Sequence, residues 1–242
     1  MKPVFFKSPL AWTMRQIQLK SGDFVRVLGY EPIKKLNFAN MSGGDFAHVI
    51  DVGVADGSPD LYARFPNAYL DLFEPVPEYH GHVERNVLSK RSGRLHKMGL
   101  GSSDTTAELF LKGRTGSSFV ADRGRGSITV PVRRLDGVLN PEDIRHPCLL
   151  KIDTEGYELE VLRGAENLLP SIDCIVAEVS FYTPDCLPHD LIEHLRVRGF
   201  SFTEILDFHV APTHMAAADF VFRRLVPPTA PSPKPANSAR RL

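Results

Sequence analysis

Between residues 46 and 225, short apolar runs alternate with stretches of helical period. The runs are FAHVIDVG, AYLDLFEP, RLHKMGLG, CLLKID and DCIVAEVS, each apolar on both faces just before it breaks. A strand covered by helices on both sides reads this way, because neither face meets water. In YELEVLRGAENLLP, Val161, Leu162, Ala165, Leu168 and Leu169 share one helical face, and Pro170 closes it. HDLIEHLRVRGF repeats the plan, with Leu191, Ile192 and Leu195 inward and Gly199 as the stop. Strands alternating with helices predict right-handed βαβ units and an α/β, doubly wound sheet. Two stretches depart from the alternation. Residues 105–139 hold strand-like pieces, Ala107–Lys112 and Ser127–Val132, around a Gly/Arg/Ser loop, which predicts an insertion or extended hairpin. Past the last helix, SFTEILDF and AADFVFRR follow with no helix between them, which predicts a closing antiparallel hairpin.

The breaks carry the chemistry. In an open α/β sheet, ligands bind beyond the carboxyl ends of the strands. Those ends hold Asp51, Glu74, Asp153 and Glu178, with Asp56 and Glu155 just beyond. Such a ring of carboxylates would repel the pyrophosphate of a dinucleotide, which wants backbone N–H groups and no nearby acid. The glycines agree, since the first break offers Gly53-x-x-x-Gly57 with Ala55 where a dinucleotide loop needs its middle glycine. A cationic nucleoside without phosphate fits instead. S-adenosylmethionine carries a sulfonium, an ammonium and a ribose diol. Gly53 and Gly57 would let the turn pass close to it. Asp51 and Asp56 would lie near its positive methionine portion, and Glu74 could accept from both ribose hydroxyls. Helix capping is the plainer role for Asp51 and Asp56, but it leaves Glu74 without one.

Composition narrows the classes. The chain has 242 residues, 43% of them hydrophobic, enough for one sizeable core. Lys and Arg number 29, as do Asp and Glu, and the balanced charge argues against a non-specific nucleic-acid binder. Cys148, Cys174 and Cys186 show no metal or redox spacing and read as buried free thiols. No run reaches the ~18 apolar residues of a membrane span, and Lys7, Pro9 and Arg15 interrupt the N-terminal apolar stretch. A cytoplasmic protein without membrane attachment is the expectation. The expected division is a lead segment, residues 1–45, packing on the domain, then a domain over 46–226. The Pro/Ala/Ser-rich residues 227–242 are expected to form a disordered tail.

The strings VIDVGVADGS, LFEPVPE, VPVRRLDGVL and LLKIDTEGYELEVLRGAENLL together resemble the FkbM-type methyltransferases, a class I S-adenosylmethionine-dependent group. The likeness spans roughly residues 46–224, and its most specific piece is K-I-D-x-E-G-x-E-x-x-x-L-x-G. It implies a Rossmann-like seven-stranded methyltransferase sheet whose last strand is antiparallel. It also implies that Asp51, Gly53 and Gly57 form the cofactor loop and that Glu74 is the ribose-binding acid. By position alone, Gly99 and Leu100 fall where the adenine pocket is expected, and Asp153 where class I enzymes place catalytic groups. One departure is Val54-Ala55-Asp56, where the family commonly has Asn. Another is the short SPDLYARFPN between loop and second strand, which leaves room only for a short helix.

Methyl transfer needs an aligned acceptor and, for a hydroxyl, removal of a proton. Asp153 is the expected general base, with Glu155 beside it. Alternatively, Asp153, Glu155 and Glu178 would hold Mg²⁺ through oxygen ligands. Glu158 reads as a helix-capping acid. Histidine spacing predicts no metal site: His80 and His82 read as solvated surface, and His189 and His194 miss a shared face. His209 and His214, between the last two strands, could reach the substrate. Residues 112–127 read either as an acceptor lid, with Arg123 or Arg125 on an anionic or sugar substrate, or as a solvated loop. An RNA-binding reading lacks aromatics there beyond Phe119. Trp12 reads as packing, with a homodimer interface as one arrangement. The expected function is O-methylation of a sugar or secondary metabolite, a small-molecule acceptor rather than nucleic acid, by family analogy. The competitors are N-, protein- or nucleic-acid methylation, and a non-catalytic module that binds the cofactor.

Overall fold

The computed structural model describes residues 37–111, 117–118, 126–182, 186–210 and 215–225. The expectations for Trp12, Phe119, Arg123, Arg125, His214 and the tail lie outside them.

Every residue of HVIDV is buried, so the first run forms β1 (His48–Val52) at the centre of a sheet. A six-residue helix, α1 (Pro59–Arg64), leads to β2 (Tyr69–Phe73), and α2 (Pro77–Val83) leads to β3 (Gly93–His96). RLHKMGLG, read as one strand, is two. It breaks after His96, where Met98 N–H turns back to the His96 carbonyl, and β4 (Gly99–Leu100) joins a different sheet. That second sheet adds β5 (Thr105–Leu111), β6 (Ser117–Ser118) and β7 (Ser127–Arg133) in the order β4-β7-β5-β6. The chain then returns through β8 (Cys148–Ile152), α3 (Glu158–Arg163), β9 (Cys174–Ser180) and α4 (Pro188–Arg196). β10 (Phe200–Val210) and β11 (Met215–Arg224) close it.

The main sheet runs β10-β11-β9-β8-β1-β2-β3. Its pairs from β3 to β9 are parallel, and β11 lies antiparallel between β9 and β10, the expected closing hairpin. Helices cover both faces. One buried cluster joins Ile50, Leu150 and Ile175 to Val161, Leu162, Leu191 and Leu195 of α3 and α4. The other joins Val49, Leu70 and Leu149 to Leu61 and Phe65 beside α1 and to Val83 of α2. A third cluster, Val76, Leu109, Val130 and Val132, fixes the second sheet to the turn after β2. Of the lead segment, Met41 is buried, and Ser42 Oγ donates to Glu204 Oε1 of β10 at 2.6 Å. Among the described residues no helix is long and apolar enough to cross a membrane. All three cysteines are free and buried, and burial pushes the Cys174 and Cys186 thiols up to about 12.

α3 is shorter than its apolar period predicts. All five residues of the predicted face are buried, but the regular helix stops at Arg163. Gly164 packs on the Gly101 carbonyl with no room for a side chain. Asp136 then accepts from the N–H groups of Asn167 and Leu168, each at 3.0 Å, and holds the chain in turns. A distant acceptor outcompetes the helical ladder here.

Asp71, fully buried on β2, ties three strands together. It accepts from His48 of β1 at 2.9 Å and His96 of β3 at 2.7 Å, and it pairs with Arg94 at 3.1 Å. Burial raises the carboxyl's pKa, but these bonds outweigh burial and hold it well below the usual carboxylate range. An Asp71→Ala protein is expected to lose about 3 kcal/mol, since buried His48 keeps a polar nitrogen without a partner. Because the folded pKa is depressed, this contribution is complete above about pH 4 and fades as pH falls below it. Urea unfolding of both proteins at neutral and acid pH checks this; the wild-type advantage should shrink only on the acid side.

Candidate functional site

A cavity of about 300 Å³ lies beyond the carboxyl ends of β1, β2, β8 and β9. One half is built from the loop after β1. Gly53 and Val54 N–H both donate to the Phe73 carbonyl, at 3.0 and 3.3 Å, and Gly57 N–H closes a turn on Val54 O at 2.8 Å. Gly53 has φ +81°, and a Cβ there would collide with the Asp153 carbonyl oxygen, so the loop crosses β8 where only glycine fits. Glu74 is 3% exposed. Its Oε2 accepts Ala55 N–H at 2.6 Å and its Oε1 accepts Val76 N–H at 2.7 Å. Burial pushes its pKa up, Asp51 adds to this, and the two N–H groups oppose it. Each oxygen keeps a lone pair, and the carboxylate lines the cavity. His80 is held too: its Nε2 donates to the Glu74 carbonyl at 2.8 Å. Of the pair expected at the surface, only His82 is exposed.

The structure brings Gly53, Asp56, Gly57, Glu74, Gly99, Leu100, Asp153 and Glu155 to this one cavity. Asp51 lies below it rather than on its wall. It is fully buried, accepts the Tyr62 hydroxyl at 2.7 Å and faces Lys151 Nζ at 3.3 Å. Asp56 is exposed at the rim and is shared with a second cavity of about 540 Å³ beside Lys90 and Arg91.

Lys151, which opens the K-I-D string but was assigned no role from sequence, is the central cation. Its ammonium lies 3.2 Å from Asp153 Oδ2, 3.3 Å from Asp51 Oδ1 and 3.4 Å from Ser58 Oγ. Burial works against its charge, but Asp153 and Asp51 outweigh that and hold it protonated. The available signal was a lysine inside the apolar run CLLKI, since a buried lysine needs an acidic partner. Glu158 shapes the next turn. Its Oε1 accepts Thr154 N–H, Thr154 Oγ1–H and Gly156 N–H at 3.0–3.1 Å, so it organises the start of α3 as expected. Glu155 takes a left-handed φ of +56° and stands exposed.

The far half is acidic. Glu178 of β9 and Asp219 of β11 face each other across an antiparallel pair. Burial, then Asp153 and Asp219, push Glu178 up to about 9, and burial raises Asp219 to about 6. His209 Nε2 lies 3.6 Å from Glu178 Oε2, and His209 lines the cavity. Asp153, Glu155 and Glu178 each bring one ligand atom within 4.8 Å of the others, as do Glu178, His209 and Asp219. Acidic clusters alone do not make a cation site, and the Mg²⁺ expectation gains nothing further.

Comparison with known proteins places this arrangement. Residues 51–202 match the Methyltransferase FkbM domain family. The hexuronic acid methyltransferase AglP of Haloferax volcanii is 28% identical over 120 residues, 50% of this chain and 47% of its own. Methyltransferase 1 of Beauveria bassiana is 27% identical over 149 residues, 51% of this chain and 60% of its own. The chain thus spans about half to three-fifths of these relatives. Among solved structures, magnesium protoporphyrin IX methyltransferase of Synechocystis, with bound SAM, aligns at TM-score 0.45 and 12% identity. That alignment covers 74% of this chain and 70% of the other. With more than half its length inside the match, the chain belongs to the FkbM methyltransferase domain family.

Proposed function

We propose that the chain is an S-adenosylmethionine-dependent methyltransferase acting on a hydroxyl of a sugar or secondary metabolite. The carrying observation is Glu74, a buried carboxylate at the end of β2. Two N–H groups hold it, and its remaining lone pairs open on the cavity beside the glycine loop. The fit is to a ribose diol beneath a cationic, phosphate-free cofactor. Gly53 leaves space that a Cβ would fill, and the carboxylates around the cavity complement positive charge. Gly53, Gly57, Glu74, Gly99 and Leu100 would hold the cofactor, with Asp56 at its rim. Asp51 would act from below, through Lys151. When bound, the cofactor supplies an activated methyl group. Asp153 and Glu155 face the acceptor half. The acid-rich wall suits an uncharged hydroxyl acceptor without phosphate; separately, AglP, by its name, acts on a hexuronic acid, which supports the sugar class and not the atom methylated.

Titration calorimetry is expected to show micromolar binding of S-adenosylmethionine and none of NAD. Binding of NAD alone would refute the reading. Incubation with methyl-labelled cofactor and a panel of sugars and polyols, read by mass spectrometry, then identifies the acceptor.

A further inference from the structure

The geometry points to His209 as the general base of the transfer, taking the acceptor's hydroxyl proton at Nε2 with Glu178 and Asp219 beside it. This inference rests on the O-methylation reading above. In the reacting step, the acceptor oxygen forms its bond to the methyl carbon. The carbon–sulfur bond breaks with its electrons going to sulfur, which becomes a neutral thioether. The hydroxyl proton passes to His209 Nε2, and the charge gained there is offset by Asp219 and by the carboxylates across the cavity.

Three observations select His209 over its neighbours. First, Asp153 is committed, since Lys151 lies 3.2 Å from its Oδ2, and a carboxylate clamped by an ammonium is a weak proton acceptor. Glu155 is exposed at the mouth. Burial and its acidic neighbours push the Glu178 pKa up and favour its protonated form, which suits donation to the acceptor oxygen more than removal of its proton. Second, the hairpin aims His209. The β10–β11 register shifts between Ile205 and Phe208 and again between His209 and Val210, and such irregularities redirect a side chain. The ring is 47% exposed and lines the cavity, and Glu178 faces it with 19% of its side chain exposed. Third, the 3.6 Å from Nε2 to Glu178 Oε2 is too long for a hydrogen bond. A hydroxyl oxygen lying against both atoms would bond to each. The charged groups around the ring are Glu178 on β9 and Asp219 on β11. Those two carboxyls in turn feel Asp207 on the strand of His209, Lys151 on β8, and Asp153 and Glu155 in the loop after it.

The test uses the full chain with the acceptor found in the panel. A His209→Asn protein is expected to lose about 10²–10³-fold in kcat while its affinity for S-adenosylmethionine stays within twofold, which also reports that it folds. The acid limb of the wild-type kcat–pH profile should vanish in the variant. His209→Gln serves as a second variant with the same expectation. A variant that O-methylates within threefold of wild-type kcat, with the acid limb intact, overturns the base assignment and leaves O-methylation standing. Wild-type transfer only to nitrogen overturns both. Loss of wild-type activity to EDTA, restored by Mg²⁺, would assign the proton's removal to a metal and overturn His209 as well.

Discussion

A Lys151→Met protein is expected to unfold with about 3–5 kcal/mol less stability than wild type. Methionine fills a similar volume, so the loss is electrostatic. Without the ammonium, Asp51 has no exposed surface and, among the described residues, keeps only the Tyr62 hydroxyl as a side-chain hydrogen-bond donor. Asp153 loses its cation too, but its side chain is 32% exposed and can turn to water. Asp51 therefore bears most of the penalty, and the double variant Lys151→Met/Asp51→Asn should recover much of it. Replacing both members of a buried ion pair is often close to neutral, whereas removing one is not. Urea denaturation of the three proteins decides it. Equal instability of the single and double variants would mean that Lys151 acts by packing.

Gly53→Ala is expected to weaken S-adenosylmethionine binding by about 100-fold or more. A left-handed φ costs a non-glycine residue about 1–2 kcal/mol. The new Cβ also meets the Asp153 carbonyl, and overpacking of this kind costs about 1–3 kcal/mol. Together these reach about 3 kcal/mol, or roughly two decades of affinity. The strain falls where β1 and β8 leave the sheet, so relief spreads the cavity floor. Gly137→Ala, a site with open space and no positive φ, is the control and should bind normally. Calorimetry on both proteins measures the difference, and binding by Gly53→Ala within threefold of wild type would refute the account.

The parts readable from sequence were those with local causes. Buried parallel strands show as runs apolar on both faces, so β1, β2, β8 and β9 fall on the predicted runs. Glu74 was legible because a carboxylate ending an apolar strand has few structural uses. What stayed hidden depends on distant partners. Asp51 was placed beside the cofactor because its neighbours in sequence are loop glycines. Its position below the floor follows from Tyr62 on α1 and Lys151 on β8. The end of α3 is decided by Asp136, some thirty residues earlier in the chain. The acidic far half needs Asp219 across from Glu178, a register that no spacing rule reveals.

The loop after β1 has a further consequence through its backbone. Gly53, Val54 and Ala55 each commit their N–H to the end of β2, two to the Phe73 carbonyl and one to Glu74. Three consecutive amides anchored to one strand leave the loop few alternative shapes before any ligand arrives. Association therefore forfeits little chain entropy in ordering the loop, and more of each contact formed can appear as affinity.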